Sequence, residues 1–212
     1  MRNWEKYLQL VKERPGLFSG NGLVVVLDEK TIKEFEENSG REIGVLCESP
    51  WRYVLVDLVR DADGRLFAFE RIVPVRSGGV AILPIYDGKV VLIREYRHPV
   101  AKWCWEIPRG FGEPAASALD NAKKELFEET GIKRAEFVHL GQLMPESGLT
   151  SDRVDVFIAG VKELNCTTLN KEANEAINSV RLFGLDELKA MVKSGEIADS
   201  YTLAAIGIWQ LQ

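Results

Sequence analysis

The sequence predicts an α+β chain in two parts, a small helix-plus-antiparallel-sheet module over residues 1–75 and a larger domain over residues 76–212. Three observations predict it. Alternating apolar runs flank two hairpin turns, Asp61-Ala62-Asp63-Gly64 and Asp87-Gly88. Apolar residues recur at helical spacing near both ends of the chain and again around residue 122. Pro74 and the run Ser77-Gly78-Gly79 interrupt these patterns and put the boundary near residue 75.

Each element follows in order. Asn3–Arg14 carries Trp4, Tyr7, Leu8 and Val11 on one helical face, and Pro15-Gly16 ends it. Leu23–Leu27 is a short apolar run, expected as a strand. Asp28 is placed to cap a second helix through Glu37, stopped by Ser39-Gly40. Trp51–Arg60 and Arg65–Val73 are the arms of the first hairpin. A sheet of three strands or fewer is marginal alone, so this module is expected to need a partner surface. Gly79–Tyr86 and Lys89–Arg97 are the arms of the second hairpin. A Gly-rich loop ending in Pro114 then enters a helix, with Ser117 and Asp120 as a variant capping box and Gly131 as a left-handed stop. Leu119, Ala122 and Leu126 share an arc expected to face a core. Strands are expected at Ala135–Met144, Val154–Val161 and Ala176–Phe183, the first two joined by the loop MPESGLTSDR. A short helix at Asp186–Lys193 ends at Ser194-Gly195, and Ser200–Leu211 reads as an apolar closing helix.

Composition removes several function classes. The 212 residues are 46% hydrophobic and 28% charged, ordinary for a globular chain, and the net charge of −5 argues against non-specific binding to nucleic acid or acidic lipid. Cys47, Cys104 and Cys166 are odd in number with no CxxC, so they read as reduced thiols of a cytoplasmic protein. The N-terminal segment has no apolar core of a secretory signal, and no apolar run approaches the roughly 18 residues that span a bilayer. His98 and His139 have no second His or Cys at ligand spacing; both read as structural, and no zinc site is expected.

The chemistry concentrates on Glu125, Glu128 and Glu129. At i, i+3 and i+4 these carboxylates are neighbours on a helix and repel one another. A hard divalent cation would remove that repulsion, because an oxygen-only ligand set suits Mg²⁺ or Mn²⁺. The plain alternative is a solvated acidic face. The stretch Gly110–Ile132, GFGEPAASALDNAKKELFEETGI, resembles the Nudix box, G-x5-E-x7-R-E-U-x-E-E-x-G-U with U aliphatic. Gly110 falls on the first Gly, Glu125 and Leu126 on E-U, Glu128 and Glu129 on the paired Glu, and Gly131 and Ile132 on the closing pair. Two positions depart: the first Glu falls on Ala116 and the Arg on Lys124. In the family those side chains organise the loop against the helix. Glu113, three residues earlier, could substitute as the loop carboxylate.

The resemblance implies an α/β/α sandwich of the Nudix type and extends loosely over residues 45–212. It is strongest toward ADP-ribose pyrophosphatases and nucleotide-sugar hydrolases, through REYRHPVAKWCWEIPRG at residues 94–110 and the closing phrase SGEIADSYTLAAI. It implies a metal set of Glu125, Glu128 and Glu129 with Gly110, holding Mg²⁺ or Mn²⁺. It implies that Arg97 contacts phosphate or ribose and that Glu106 lies near substrate or metal. Arg109 stands where many ADP-ribose enzymes have a small residue, and is included with the substrate contacts. Trp103 and Trp105 either stack on a base or pack in the core. Ser147-Gly148 with Asp152 resembles the subgroup's S-x-G-x-x-x-E loop, which can carry the general base; Asp152, Glu146 and Asp155 are the candidates. The implied reaction is hydrolysis of a nucleoside diphosphate sugar, ADP-ribose to AMP and ribose 5-phosphate. GDP-mannose is the runner-up substrate, and a nucleotide-sugar sensor is the competing class. The implied assembly is a homodimer built through the N-terminal sheet.

Overall fold

The computed structural model describes all residues except 77, 114, 165–176 and 212. Ser77, Pro114, Cys166 and Ala176, which the sequence singles out, lie outside the described residues. The chain forms two compact units, Met1–Val75 with Glu146–Asp152, and Arg76–Pro145 with Arg153–Gln212. The segment Glu146–Asp152 therefore groups with the first unit, where a division at residue 75 puts it in the second. The cause is backbone pairing: Ile72 donates its N–H to the Leu149 carbonyl at 2.8 Å and accepts from the Ser151 N–H at 3.1 Å.

The first unit contains α1 (Trp4–Glu13), β1 (Val24–Val25), α2 (Glu29–Ser39), β2 (Gly44–Glu48), β3 (Arg52–Arg60) and β4 (Leu66–Pro74). The sheet has four strands rather than three or fewer. β4 pairs with the whole of β3, while β1 and β2 pair with its two ends. β2 escapes the sequence pattern because a register shift between Val45 and Cys47 breaks its alternation. Side-chain alternation on β3 gives the unit two cores. Tyr7 and Leu10 of α1 pack with Tyr53 and Leu55, and Ile32 of α2 packs with Val56 and Leu58. Asp28 caps α2 by accepting the Thr31 N–H at 2.9 Å.

The second unit contains β5 (Gly79–Tyr86), β6 (Lys89–Arg97), β7 (Lys102–Glu106), β8 (Arg109–Phe111), α3 (Ala118–Thr130), β9 (Ala135–Leu143), β10 (Val154–Val161), β11 (Ile177–Phe183), α4 (Leu185–Ser194) and α5 (Ser200–Gln210). Its seven-stranded sheet runs β11-β6-β5-β10-β9, with β7 on β6 and β8 on β5. β10 lies parallel to β5, and the other pairings are antiparallel. Val80, Ile82, Val91 and Phe157 pack against Ala122 and Leu126 of α3. Alternate residues, Ala81, Leu83, Leu92 and Val156, pack against Leu188 and Met191 of α4 and Ala205 of α5. The result is the α/β/α sandwich within an α+β chain. Among the described residues no helix is long and apolar enough to cross a membrane.

One expected core position is corrected. Leu119 is 38% exposed, whereas Glu125 and Glu129 are buried beside Ala122 and Leu126. The buried arc of α3 is rotated toward its acidic edge, so apolar packing and carboxylates share one face.

Candidate active site

The sheet opens where the site forms. β5 and β6 pair only at Ile85↔Val90 and Tyr86↔Lys89, next to their turn. Beyond that point β7 takes the freed edge of β6 and β8 the freed edge of β5. Glu106 ends β7, Arg109 begins β8, and Ile107-Pro108 bridge them; the Ile107 N–H donates to Thr202 Oγ1 at 3.0 Å and the Pro108 carbonyl accepts from Ile82 N at 2.9 Å.

α3 brings its carboxylates onto this bridge. Ser117 caps the helix by accepting the Asp120 N–H at 3.1 Å, and Gly131, at φ 76°, closes it. Glu129, 2% exposed, accepts the Arg109 backbone N–H on Oε2 at 3.1 Å. Glu125 lies directly over Gly110. A Cβ at Gly110 would fall 2.2 Å from Glu125 Cδ and 2.4 Å from each of its oxygens, so any side chain there would displace the Glu125 carboxylate. Glu128 is half-buried, with Lys124 Nζ 3.5 Å from its Oε2. Among the described residues no three acidic, His or Cys side chains converge into a ready metal cage. Two buried carboxylates plus a half-buried third, all oxygen donors on a glycine-cleared loop, nevertheless fit a hard cation that completes its shell with water and phosphate oxygens.

A buried ionic cluster adjoins them. Arg97 Nη1 lies 2.8 Å from Glu95 Oε1, and its Nη2 contacts Glu106 Oε1. Arg109 Nη2 lies 3.6 Å from Glu106 Oε2 and 3.7 Å from Asp199 Oδ1, and its guanidinium stacks 4.6 Å from the Tyr201 ring centroid. Glu106 is fully buried and held by its ion pairs to the two arginines, while the Nε atoms of Arg97 and Arg109 have no hydrogen-bond partner. Burial, reinforced by the neighbouring Glu106, pushes the Glu95 carboxyl up to about 7. Sequence reading missed Glu95 and Asp199. A single Glu in an alternating strand and an Asp that caps α5 both have ordinary local explanations; only tertiary contact reveals them.

The other expected residues separate. Alternation across the β6–β7 ladder pairs Ile93 with Glu106 but Arg94 with Trp105, so Trp103 and Trp105 sit on the sheet face opposite Glu106. Trp105 packs edge-on to Phe183 at 4.9 Å, in the core under α4 and α5, and Trp103 meets Tyr96 at 5.6 Å. Of the two sequence readings, Trp105 follows core packing. Asp152 lies in the first unit, where Arg52 Nη2 is 3.8 Å from its Oδ2, and Glu146 is exposed in the same segment. Asp155, on β10, contacts His139 Nε2 at 2.8 Å. Glu113 accepts a hydrogen bond from Lys124 Nζ at 2.8 Å, and Ala116 makes no such contact, its N–H donating to the Glu113 carbonyl at 3.1 Å.

Comparison with known proteins agrees with this architecture. Residues 75–205 match the NUDIX domain family model. The chain is 29% identical to an ADP-ribose pyrophosphatase of Bacillus subtilis (strain 168) over 88% of this chain and 95% of that one. It is 30% identical to a GDP-mannose pyrophosphatase of Escherichia coli (O1:K1 / APEC) over 74% of this chain and 86% of that one. A crystal structure of an ADP compounds hydrolase superposes with a TM-score of 0.69 at 20% identity, covering 78% of this chain and 88% of that one. The chain belongs to the Nudix family, as a pyrophosphohydrolase resembling the ADP-ribose pyrophosphatases.

Proposed function

We propose that the protein hydrolyses the diphosphate of a nucleoside diphosphate sugar with a divalent cation, Mg²⁺ or Mn²⁺, and that ADP-ribose, split to AMP and ribose 5-phosphate, is its substrate. The observation that carries this reading is the burial of Glu125 and Glu129 against the Arg109-Gly110 backbone, beside two arginines whose Nε atoms have no aligned acceptor. Arg97 and Arg109 offer planar forks that suit phosphate oxygens. Glu106 sits between the forks and orients both, and Glu95 restrains Arg97. Glu125, Glu128 and Glu129 are the residues that would hold the cation, with the loop at Gly110. When bound, the cation supplies positive charge to the phosphate oxygens and acidifies water. Asp152, then Glu146, are the candidates for the general base, on the likeness of their loop to that of the subgroup.

Glu129→Gln is expected to lower Mg²⁺-dependent AMP release from ADP-ribose by about 10²–10³-fold with the fold kept. Equal turnover in the variant and the wild type contradicts the assignment. The 30% identity to GDP-mannose pyrophosphatases keeps GDP-mannose as the second substrate; a panel of nucleoside diphosphate sugars read by product mass separates the two. Ligand binding without products under any divalent metal would instead favour a sensor. Phe67 and Phe69, each 37% exposed on β4 of the first unit, support a homodimer joined through its sheet. Light scattering is expected to give the mass of two chains, and the mass of one chain rules the dimer out.

A further inference from the structure

Lys124 sits between two carboxylates with different duties. Its Nζ is 2.8 Å from Glu113 Oε1 on the glycine loop and 3.5 Å from Glu128 Oε2 one turn along α3. The loop position of Glu113 is fixed independently, because its N–H donates to Asn121 Oδ1 at 3.2 Å, and Gly112 N donates to the Gly78 carbonyl at 2.9 Å. Asn121 is itself buried. The Glu113 backbone is therefore tied in place and the ammonium meets its carboxylate at hydrogen-bond distance, while Glu128 is reached only as an ion-pair neighbour. The helical spacing also disfavours the second contact, since Lys preceding Glu by four residues is the weaker orientation of such a pair. A lysine bonded to Glu128 would cancel one of the three charges on which a cation depends.

We propose that Glu113 parks Lys124 away from Glu128 and so keeps that carboxylate available to a divalent cation. Glu113 is then a positioning residue that acts through Lys124, and Lys124 is a built-in competitor of the metal. The proposal rests on the reading of Glu125, Glu128 and Glu129 as the cation-binding set. It predicts opposite signs for two neutral substitutions. Glu113→Gln frees the ammonium to close on Glu128 and weakens cation binding. Lys124→Met removes the competitor and strengthens it. A loop tie with no competition predicts the same sign for both, because each breaks the same ion pair, and through-space charge alone shifts the two oppositely but additively, so that the double variant falls between them.

The test is Mn²⁺ binding to the full chain, followed by the electron paramagnetic resonance signal of the free ion. Circular dichroism melting confirms that each variant folds, and Lys124→Arg serves as the conservative control. Glu113→Gln is expected to raise the Mn²⁺ dissociation constant roughly threefold to fivefold, and Lys124→Met to lower it by a similar factor, as one unit charge near the ion implies in a wet setting. The double variant Glu113→Gln/Lys124→Met should match Lys124→Met alone, and Lys124→Arg should stay within about twofold of wild type. Changes of the same sign, no change in either single variant, or a double variant whose shift is the sum of the two single shifts, overturn the parking role while leaving the cation site standing. A wild-type protein that binds no Mn²⁺ at millimolar concentration overturns both the parking role and the cation site beneath it.

Discussion

Two buried clusters in this protein use the same chemistry to different ends. In the first unit Asp57 accepts a hydrogen bond from Tyr7 and another from Arg71 Nε at 2.5 Å, and Arg71 Nη1 donates to the Leu17 carbonyl at 2.7 Å. The guanidinium also covers the Phe18 ring at 4.7 Å. Burial and the Asp57 charge push the Tyr7 hydroxyl pKa up, so it stays a donor. Every partner in that cluster has an aligned mate, which fits a fixed staple between α1, β3 and β4. In the second unit Glu106 contacts Arg97 and lies 3.6 Å from Arg109, yet the Nε atoms of both arginines have no hydrogen-bond partner. Buried donors are normally satisfied, so these two Nε–H groups fit the phosphate-binding role proposed for the arginines.

The same conservative substitution has opposite consequences in the two clusters. Arg97→Lys keeps the charge and loses the planar fork, and is expected to lower turnover of ADP-ribose by about 10²-fold with melting little changed. Arg71→Lys loses the hydrogen bonds to Asp57 and Leu17, and is expected to cost about 1–3 kcal/mol of stability with turnover per folded molecule kept. Steady-state kinetics and thermal melting on both variants decide it. Two variants with the same profile would show that the clusters do the same job.

A smaller effect sharpens the contrast. The Glu95 carboxyl is raised to about 7 in the fold, above its ordinary value of 4.5. The folded state therefore binds the extra proton between those values, and wild-type stability falls as pH rises through that window. Glu95→Gln mimics the protonated form and removes this loss. The variant's stability relative to wild type is expected to grow between pH 5 and pH 8 by on the order of 1 kcal/mol. Parallel melting curves across that range would show that Glu95 does not titrate there.

Much of this was legible in the chain. The Asp61–Gly64 and Asp87-Gly88 turns, the Asp28 and Ser117 caps and the Gly131 stop are local devices, and local devices can be read locally. β2 was hidden by its bulge, and the exposure of Leu119 by the rotation of α3 that buries Glu125 and Glu129. The acidic trio and Arg97 were visible as residue types at telling spacings. Their company was not: Glu95 and Asp199 join the site only because β5 and β6 part and α5 begins beside the gap. Trp105 shows the converse. Its period-2 spacing with Trp103 fixed a shared face opposite Glu106, but only the packing on Phe183 showed that Trp105 meets the core under α4 and α5.

The proposed reaction depends on the acidic edge of α3 serving as a cation cradle. Crystals grown with Mn²⁺ and a non-hydrolysable ADP-ribose analogue, measured at the manganese edge, test it directly. It predicts an anomalous peak within coordination distance of Glu125 or Glu129 carboxylate oxygens, with diphosphate oxygens completing the shell. Bound analogue with no manganese at those carboxylates would contradict it.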